Sequence, residues 1–154
     1  MTILKEGTTA PNFKGTDQNG DIVSLDQYKG KKVILFFYPK DNTPGCTAEA
    51  CNLRDNYSDI LEKGMDIIGV SPDKEASHLK FIEKYELPFI LISDPEKEIL
   101  KLYNAWGKKK LYGKVFDGVL RKTFIIDGNQ KIEKIIEKVK TKDHTNQIFQ
   151  ELKF

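Results

Sequence analysis

Six consecutive residues, Val33-Ile34-Leu35-Phe36-Phe37-Tyr38, carry no charge and no amide. A run this short cannot cross a bilayer, and as a strand it would show apolar side chains on both faces, so both must be covered. That demand selects a sheet with other elements packed on each side. "MDIIGVS" from Met65 and "PFILISD" from Pro88 read as further buried strands, while helical periodicity occupies the stretch from about Cys46 to Glu62 and the segment "DKEASHLKFIEKYE". Strand, helix, strand, helix, strand is an α/β order with a βαβ unit at its centre.

The flanks complete the order. "FKGTDQNGDIVSL" from Phe13 predicts two short strands turning at Asn19-Gly20, and "PEKEILKLYN" predicts a short helix begun by Pro95. "LRKTFIIDGNQKIEKII" predicts a hairpin around Asp127-Gly128-Asn129, and "KDHTNQIFQELKF" closes the chain as a helix. The series is that of a thioredoxin-like fold: a central mixed β-sheet flanked by helices, with an N-terminal β-hairpin extension and an insertion. No repeat or Pro/Gly-rich linker divides the chain, so residues 1–154 are expected to form a single domain. The 25 basic side chains nearly cancel the 23 acidic ones, and a net charge of +2 predicts neither a nucleic-acid nor a membrane partner. The start, "MTILKEGTTAPNFKG", lacks the basic and apolar regions of a secretory leader, which makes a soluble cytoplasmic protein the expectation.

In a reducing compartment, a cysteine pair points to metal binding or catalysis before it points to a permanent crosslink. Both cysteines of this chain lie in "YPKDNTPGCTAEAC", Tyr38 to Cys51. The segment follows the buried strand and opens the next helix, at the sheet end where α/β proteins build sites. Thr43, Pro44 and Gly45 supply a helix start, which puts Cys46 in the first turn. There, unpaired N–H groups and the helix dipole favour a thiolate. At about 100° per residue, Cys46 shares an apolar stripe with Ala50, Leu53, Tyr57, Ile60 and Leu61, while Cys51 falls about 140° away among Asp55, Ser58 and Glu62. Their Cα atoms would stand about 8.6 Å apart in an intact helix, beyond the ~7 Å reach of a disulfide, so the two can join only if the helix unwinds.

Other readings compete. A buried cysteine is commonly an inert small hydrophobe. Two thiols with His78 and His144 could suggest zinc, but the histidines lack the close spacing of zinc motifs. The lysines at 108–110 and the basic residues around "EKIIEKVKTKD" read as solvated faces, Arg121 in "VLRKTFIID" as an ordinary sheet arginine, and Trp106, Tyr112 and Phe116 as loop anchors. A disulfide reductase would carry C-x-x-C, which is absent; a redox-toggled sensor or polyanion-binding module stays open.

The cysteine segment resembles the active-site stretch of the peroxiredoxins, whose Pro-x-x-x-Thr-x-x-Cys pattern is met by Pro39, Thr43 and Cys46. With Cys51 five residues on and the downstream "AWGKKKLYGKVFDGVLRKTFIID", the likeness is to the peroxiredoxin Q, or bacterioferritin comigratory protein, subfamily and spans nearly the whole chain. The resemblance implies a thiol-dependent peroxidase with Cys46 as the peroxidatic nucleophile and Cys51 as the resolving thiol of a Cys46–Cys51 redox disulfide. It implies that Thr43 positions the peroxide, that Arg121 holds the thiolate, that Pro39 shields the sulfur, and that Glu49 orients Arg121. It further implies hydroperoxide substrates, recycling by thioredoxin or a similar dithiol, no metal or organic cofactor, and a monomer.

Overall fold

The computed structural model describes residues 4–153. Strands β1 (Lys14–Thr16) and β2 (Ile22–Ser24) form the expected first hairpin and are followed by a 3-10 turn, Leu25–Tyr28. Then come β3 (Lys32–Phe37), α1 (Pro44–Asp55), α2 (Tyr57–Glu62), β4 (Met65–Ser71), α3 (Glu75–Tyr85), β5 (Ile90–Ser93) and α4 (Glu98–Leu102). A second hairpin, β6 (Trp106–Leu111) with β7 (Lys114–Val119), precedes β8 (Lys122–Ile126), β9 (Ile132–Ile136) and α5 (His144–Glu151).

Seven strands make one mixed sheet in the order β2-β1-β5-β4-β3-β8-β9. The parallel heart is β3 with β4, from Lys32 opposite Met65 to Phe37 opposite Val70, and β4 with β5. The remaining pairings are antiparallel. The period of two divides β3 between two cores. Val33, Leu35 and Phe37 join Ile68, Val70, Phe124, Leu100 and Tyr103 on the α4 side, whereas Ile34, Phe36 and Tyr38 join Ala50, Leu53, Phe81 and Ile148 from α1, α3 and α5. Burying each such side chain is worth about 1.5–3 kcal/mol, so this run is the spine of the molecule. Packing is close enough to dictate a glycine: a Cβ on Gly69 of β4 would stand 2.7 Å from Leu91 and 2.8 Å from the Phe36 ring.

Several expectations need correction. The single helix from Cys46 to Glu62 is two, because Asn56 interrupts it: its side chain donates to the Asn52 carbonyl at 2.8 Å and its N–H turns to Leu53 at 3.3 Å. The phase resets there, which leaves Ile60 buried but Leu61 40% exposed and off the stripe. Pro95 lies in a turn, and α4 starts later, at Glu98, behind a left-handed Lys97. Arg121 precedes β8 rather than lying within a strand. Phe154, the last residue of the expected final helix, lies outside the described residues, and α5 ends at Glu151. The insertion is the β6–β7 hairpin, a finger that among the described residues pairs with no other strand and is turned by Tyr112-Gly113, both at positive φ. Of its aromatics only Trp106 packs against the core; Tyr112 is 94% exposed and Phe116 is exposed too, so neither is an anchor.

Candidate active site

The site is assembled where β3 hands the chain to α1. Thr43 is the N-cap residue with extended backbone, Pro44 occupies the first helical position, and Cys46 sits in the first turn, buried with 2% exposure. The Thr43 hydroxyl does not cap the helix. It donates to the Lys40 carbonyl at 2.8 Å, which fixes its proton and leaves its lone pairs to accept. The first-turn N–H groups are therefore not taken by a side-chain cap. Pro39 lies half-buried on the same connection.

Arg121 arrives from the β7–β8 connection, and its guanidinium spans two groups of α1. Nη2 donates to Cys46 Sγ at 3.2 Å and Nη1 to Glu49 Oε1 at 2.7 Å. Gly45 makes the approach tight, since a Cβ there would stand 3.3 Å from Nη2. Burial pulls the Arg121 pKa down, but Glu49 and Cys46 outweigh it and hold it above its ordinary value. Glu49 is fully buried. Its carboxyl is pushed up to about 7 by that burial, against the pull of Arg121. Behind it stands His144 of α5, also fully buried, with Nε2 3.5 Å from Glu49 Oε2. Burial drives His144 down to about 4.

Cys51 lies on the other side of α1, half-buried, and both cysteines are free. The helix just beyond Cys51 is tied down on two sides. Asn52 accepts the Thr145 N–H at 2.8 Å and donates to the Lys142 carbonyl at 3.2 Å, while Arg54 donates to the Tyr85 carbonyl at 2.7 Å. The loop before α1 is fixed as well. Asp41 accepts Tyr38 Oη at 2.6 Å and Ser77 Oγ at 2.8 Å, and its carboxylate meets His78 Nδ1 at 2.7 Å.

A buried cysteine facing a fixed guanidinium at a helix N-terminus is a nucleophile's setting. Residues 7–135 match the AhpC/TSA family. Peroxiredoxin Bcp of Bacillus subtilis (strain 168) is 45% identical over 153 residues, covering 99% of this chain and 97% of that protein. Peroxiredoxin Bcp of Escherichia coli (strain K12) is 40% identical over 153 residues, covering 99% and 98%. This chain belongs to the peroxiredoxin family. Among solved structures, a cysteine-to-serine mutant of Xylella fastidiosa PrxQ aligns with a TM-score of 0.90 at 27% identity, covering 99% of this peroxiredoxin and 98% of that chain. Peroxidoxin BcpB of Mycobacterium tuberculosis aligns at 0.85 with 31% identity, covering 98% and 97%. The thioredoxin-like fold, the peroxiredoxin Q likeness and the activity of a thiol peroxidase, an oxidoreductase, thus stand together.

The structure brings Cys46, Glu49 and Arg121 into direct contact and leaves Cys51 on the same helix but apart. It also supplies polar partners that sequence reasoning passed over. His144 and His78 do not converge with the thiols: one backs Glu49, the other holds Asp41. Asp41, Asp73 and His78 bring ligand atoms within 4.8 Å of one another, the outline of a cation site. Those atoms already serve protein donors, since Asp73 Oδ2 accepts the Asp41 N–H at 2.7 Å and the Ser71 hydroxyl at 3.0 Å.

Proposed function

We propose that Cys46 is the peroxidatic residue, and the observation that supports this most directly is the Arg121 guanidinium 3.2 Å from its sulfur. A positive charge at that distance favours the thiolate and can bind a substrate oxygen. The thiolate attacks the terminal oxygen of a hydroperoxide, the O–O bond breaks, and water or an alcohol leaves with a proton as Cys46 becomes a sulfenic acid. Thr43, with its own proton spent on Lys40, accepts the hydrogen of the peroxide, and first-turn N–H groups face the developing negative charge. Pro39 contributes no donor and covers the sulfur; Glu49 holds Arg121 in place.

Cys51 then attacks the sulfenic sulfur and expels water, forming an intramolecular disulfide. Both cysteines lie in one intact helix, so α1 opens for this step. Thioredoxin is the reductant on this reading, in a reducing cytoplasm. The chain acts as a monomeric single-domain enzyme, because a resolving thiol on the same helix removes the need for a partner subunit.

Peptide mapping by mass spectrometry after a single equivalent of hydrogen peroxide tests the assignment. The expected product has lost two hydrogens and carries a Cys46–Cys51 link; Cys46→Ser should lose peroxide turnover entirely, and Cys51→Ser should stop at the sulfenic acid. Retained thiol-dependent turnover in Cys46→Ser would overturn the assignment, and unchanged thioredoxin-coupled recycling in Cys51→Ser would make Cys51 a bystander.

A further inference from the structure

Among the described residues, one carboxylate oxygen in the protein interior lacks a hydrogen-bond partner: Oε2 of Glu49. Its neighbour is His144 Nε2 at 3.5 Å. The protons on the ring can be placed from its surroundings. Gln147 Oε1 accepts the Lys140 N–H at 2.9 Å, which identifies it as oxygen, and the same atom lies 2.9 Å from His144 Nδ1. Nδ1 therefore carries a hydrogen. Nε2 faces only Thr123 Oγ1, at 2.8 Å, and the orphaned Glu49 oxygen.

Were Glu49 ionised and His144 neutral, the Thr123 hydroxyl would serve the Nε2 lone pair, but Glu49 Oε2 would remain a buried negative oxygen with no donor. Such an arrangement leaves a charged group unsatisfied in a dry site. A single proton on Oε2, directed at Nε2 beside the Thr123 hydroxyl, resolves it. We propose that His144 is a positioning residue that shares a proton with Glu49, and that this proton sets how much of the Arg121 charge reaches the Cys46 sulfur.

The groups facing Glu49 are few. Arg121 comes from the β7–β8 connection, His144 from α5, the neutral Thr123 hydroxyl from β8, and Cys46 from its own helix across Arg121. Burial disfavours an imidazolium and favours the carboxylic acid, so the proton resides on Glu49 and is donated to Nε2. While it stays there, Glu49 is neutral: it keeps its hydrogen bond from Arg121 but does not offset the guanidinium charge that faces the sulfur. Once it leaves, the carboxylate competes for the same charge.

Glu49→Gln imitates the protonated acid, since an amide can accept from Arg121 and donate to Nε2. The inference rests on Cys46 being the reacting sulfur, so its test includes readouts that need no peroxide. In the full-length reduced protein, infrared difference spectra from about pH 5 to about pH 9 should show a buried carboxylic acid band that disappears through about 7. The band should be absent in Glu49→Gln and move to higher frequency in His144→Leu, where its acceptor is gone. Nitrogen NMR of the wild-type His144 ring needs no variant to fold. It should show Nδ1 protonated, Nε2 bare, and Nε2 shifting as Glu49 titrates. In stopped-flow oxidation of Cys46, the rate for Glu49→Gln relative to wild type should climb several-fold as pH rises through about 7. No acid band beyond that of Glu49→Gln, a protonated Nε2, or a rate ratio flat with pH would each overturn the inference. A titrating band in a protein whose Cys46 ignored peroxide would support the shared proton and refute only the assignment of the nucleophile.

Discussion

Arg121 gives one nitrogen to the Glu49 carboxyl and another to the Cys46 sulfur, a division that requires a planar fork. Lysine could keep the charge but not both contacts. Arg121→Lys is therefore expected to lose about one charge-assisted hydrogen bond, ~1.5–3 kcal/mol, and to slow the first oxidation about ten- to hundredfold. Stopped-flow measurement of Cys46 oxidation checks this, and equal rate constants would reject the bridging role. Asp41 carries a comparable burden on the structural side. Asp41→Ala leaves the Tyr38 and Ser77 hydroxyls and the His78 ring without their shared acceptor, and should cost at least about 3 kcal/mol in urea unfolding. A loss below about 1 kcal/mol would mean that water replaces the carboxylate at little cost.

At the scale of elements, α1 is the part that must open for Cys46 and Cys51 to meet, and α5 holds it shut through Asn52. Asn52→Ala removes the acceptor of the Thr145 N–H and the donor to Lys142, which should lower the barrier to opening. Disulfide formation after oxidation is then expected to speed up several-fold with the initial peroxide step unchanged, as quenched-flow mass spectrometry would report; an unaltered disulfide rate would release α5 from that role. The contrast between what the sequence revealed and what it hid is sharpest here. Cys46 at a helix start and the parallel strands were legible because they rest on local patterns: a Thr-Pro-Gly turn and continuous apolar runs. Glu49 beside Arg121 came from the family likeness, since no periodicity links positions so far apart. Asn52 and Asp41 were passed over for a different reason: each is a polar residue that reads as solvated until another element covers it. His144 was weighed only as a zinc ligand, because nothing local links it to Glu49. Tyr112 and Phe116 failed in the opposite direction. Aromatic character suggested burial, but the hairpin holds them away from the core.

For the molecule as a whole, the buried Glu49 and His144 act on stability with opposite signs. Glu49 has its pKa raised from 4.5 to about 7, so its contribution is full below about 4.5 and lost as pH rises through about 7. His144 is lowered from 6.5 to about 4, so its contribution is full above 6.5 and lost as pH falls through about 4. Each displacement corresponds to about 3 kcal/mol, and over the shared range the two offset one another. Glu49→Gln keeps only the histidine part. Relative to wild type, its stability should rise by about 3 kcal/mol from about pH 4 to about pH 7, read from urea midpoints. Parallel curves would show that Glu49 titrates as it does in the unfolded chain. The order in which the chain supplies its parts has a further consequence. Cys46 and its guanidinium partner are 75 residues apart, and α5 is the last element of all. In a nascent polypeptide Cys46 stands without the guanidinium until Arg121 has been added and the fold has closed, so on the proposed mechanism the sulfur gains its reactivity only then.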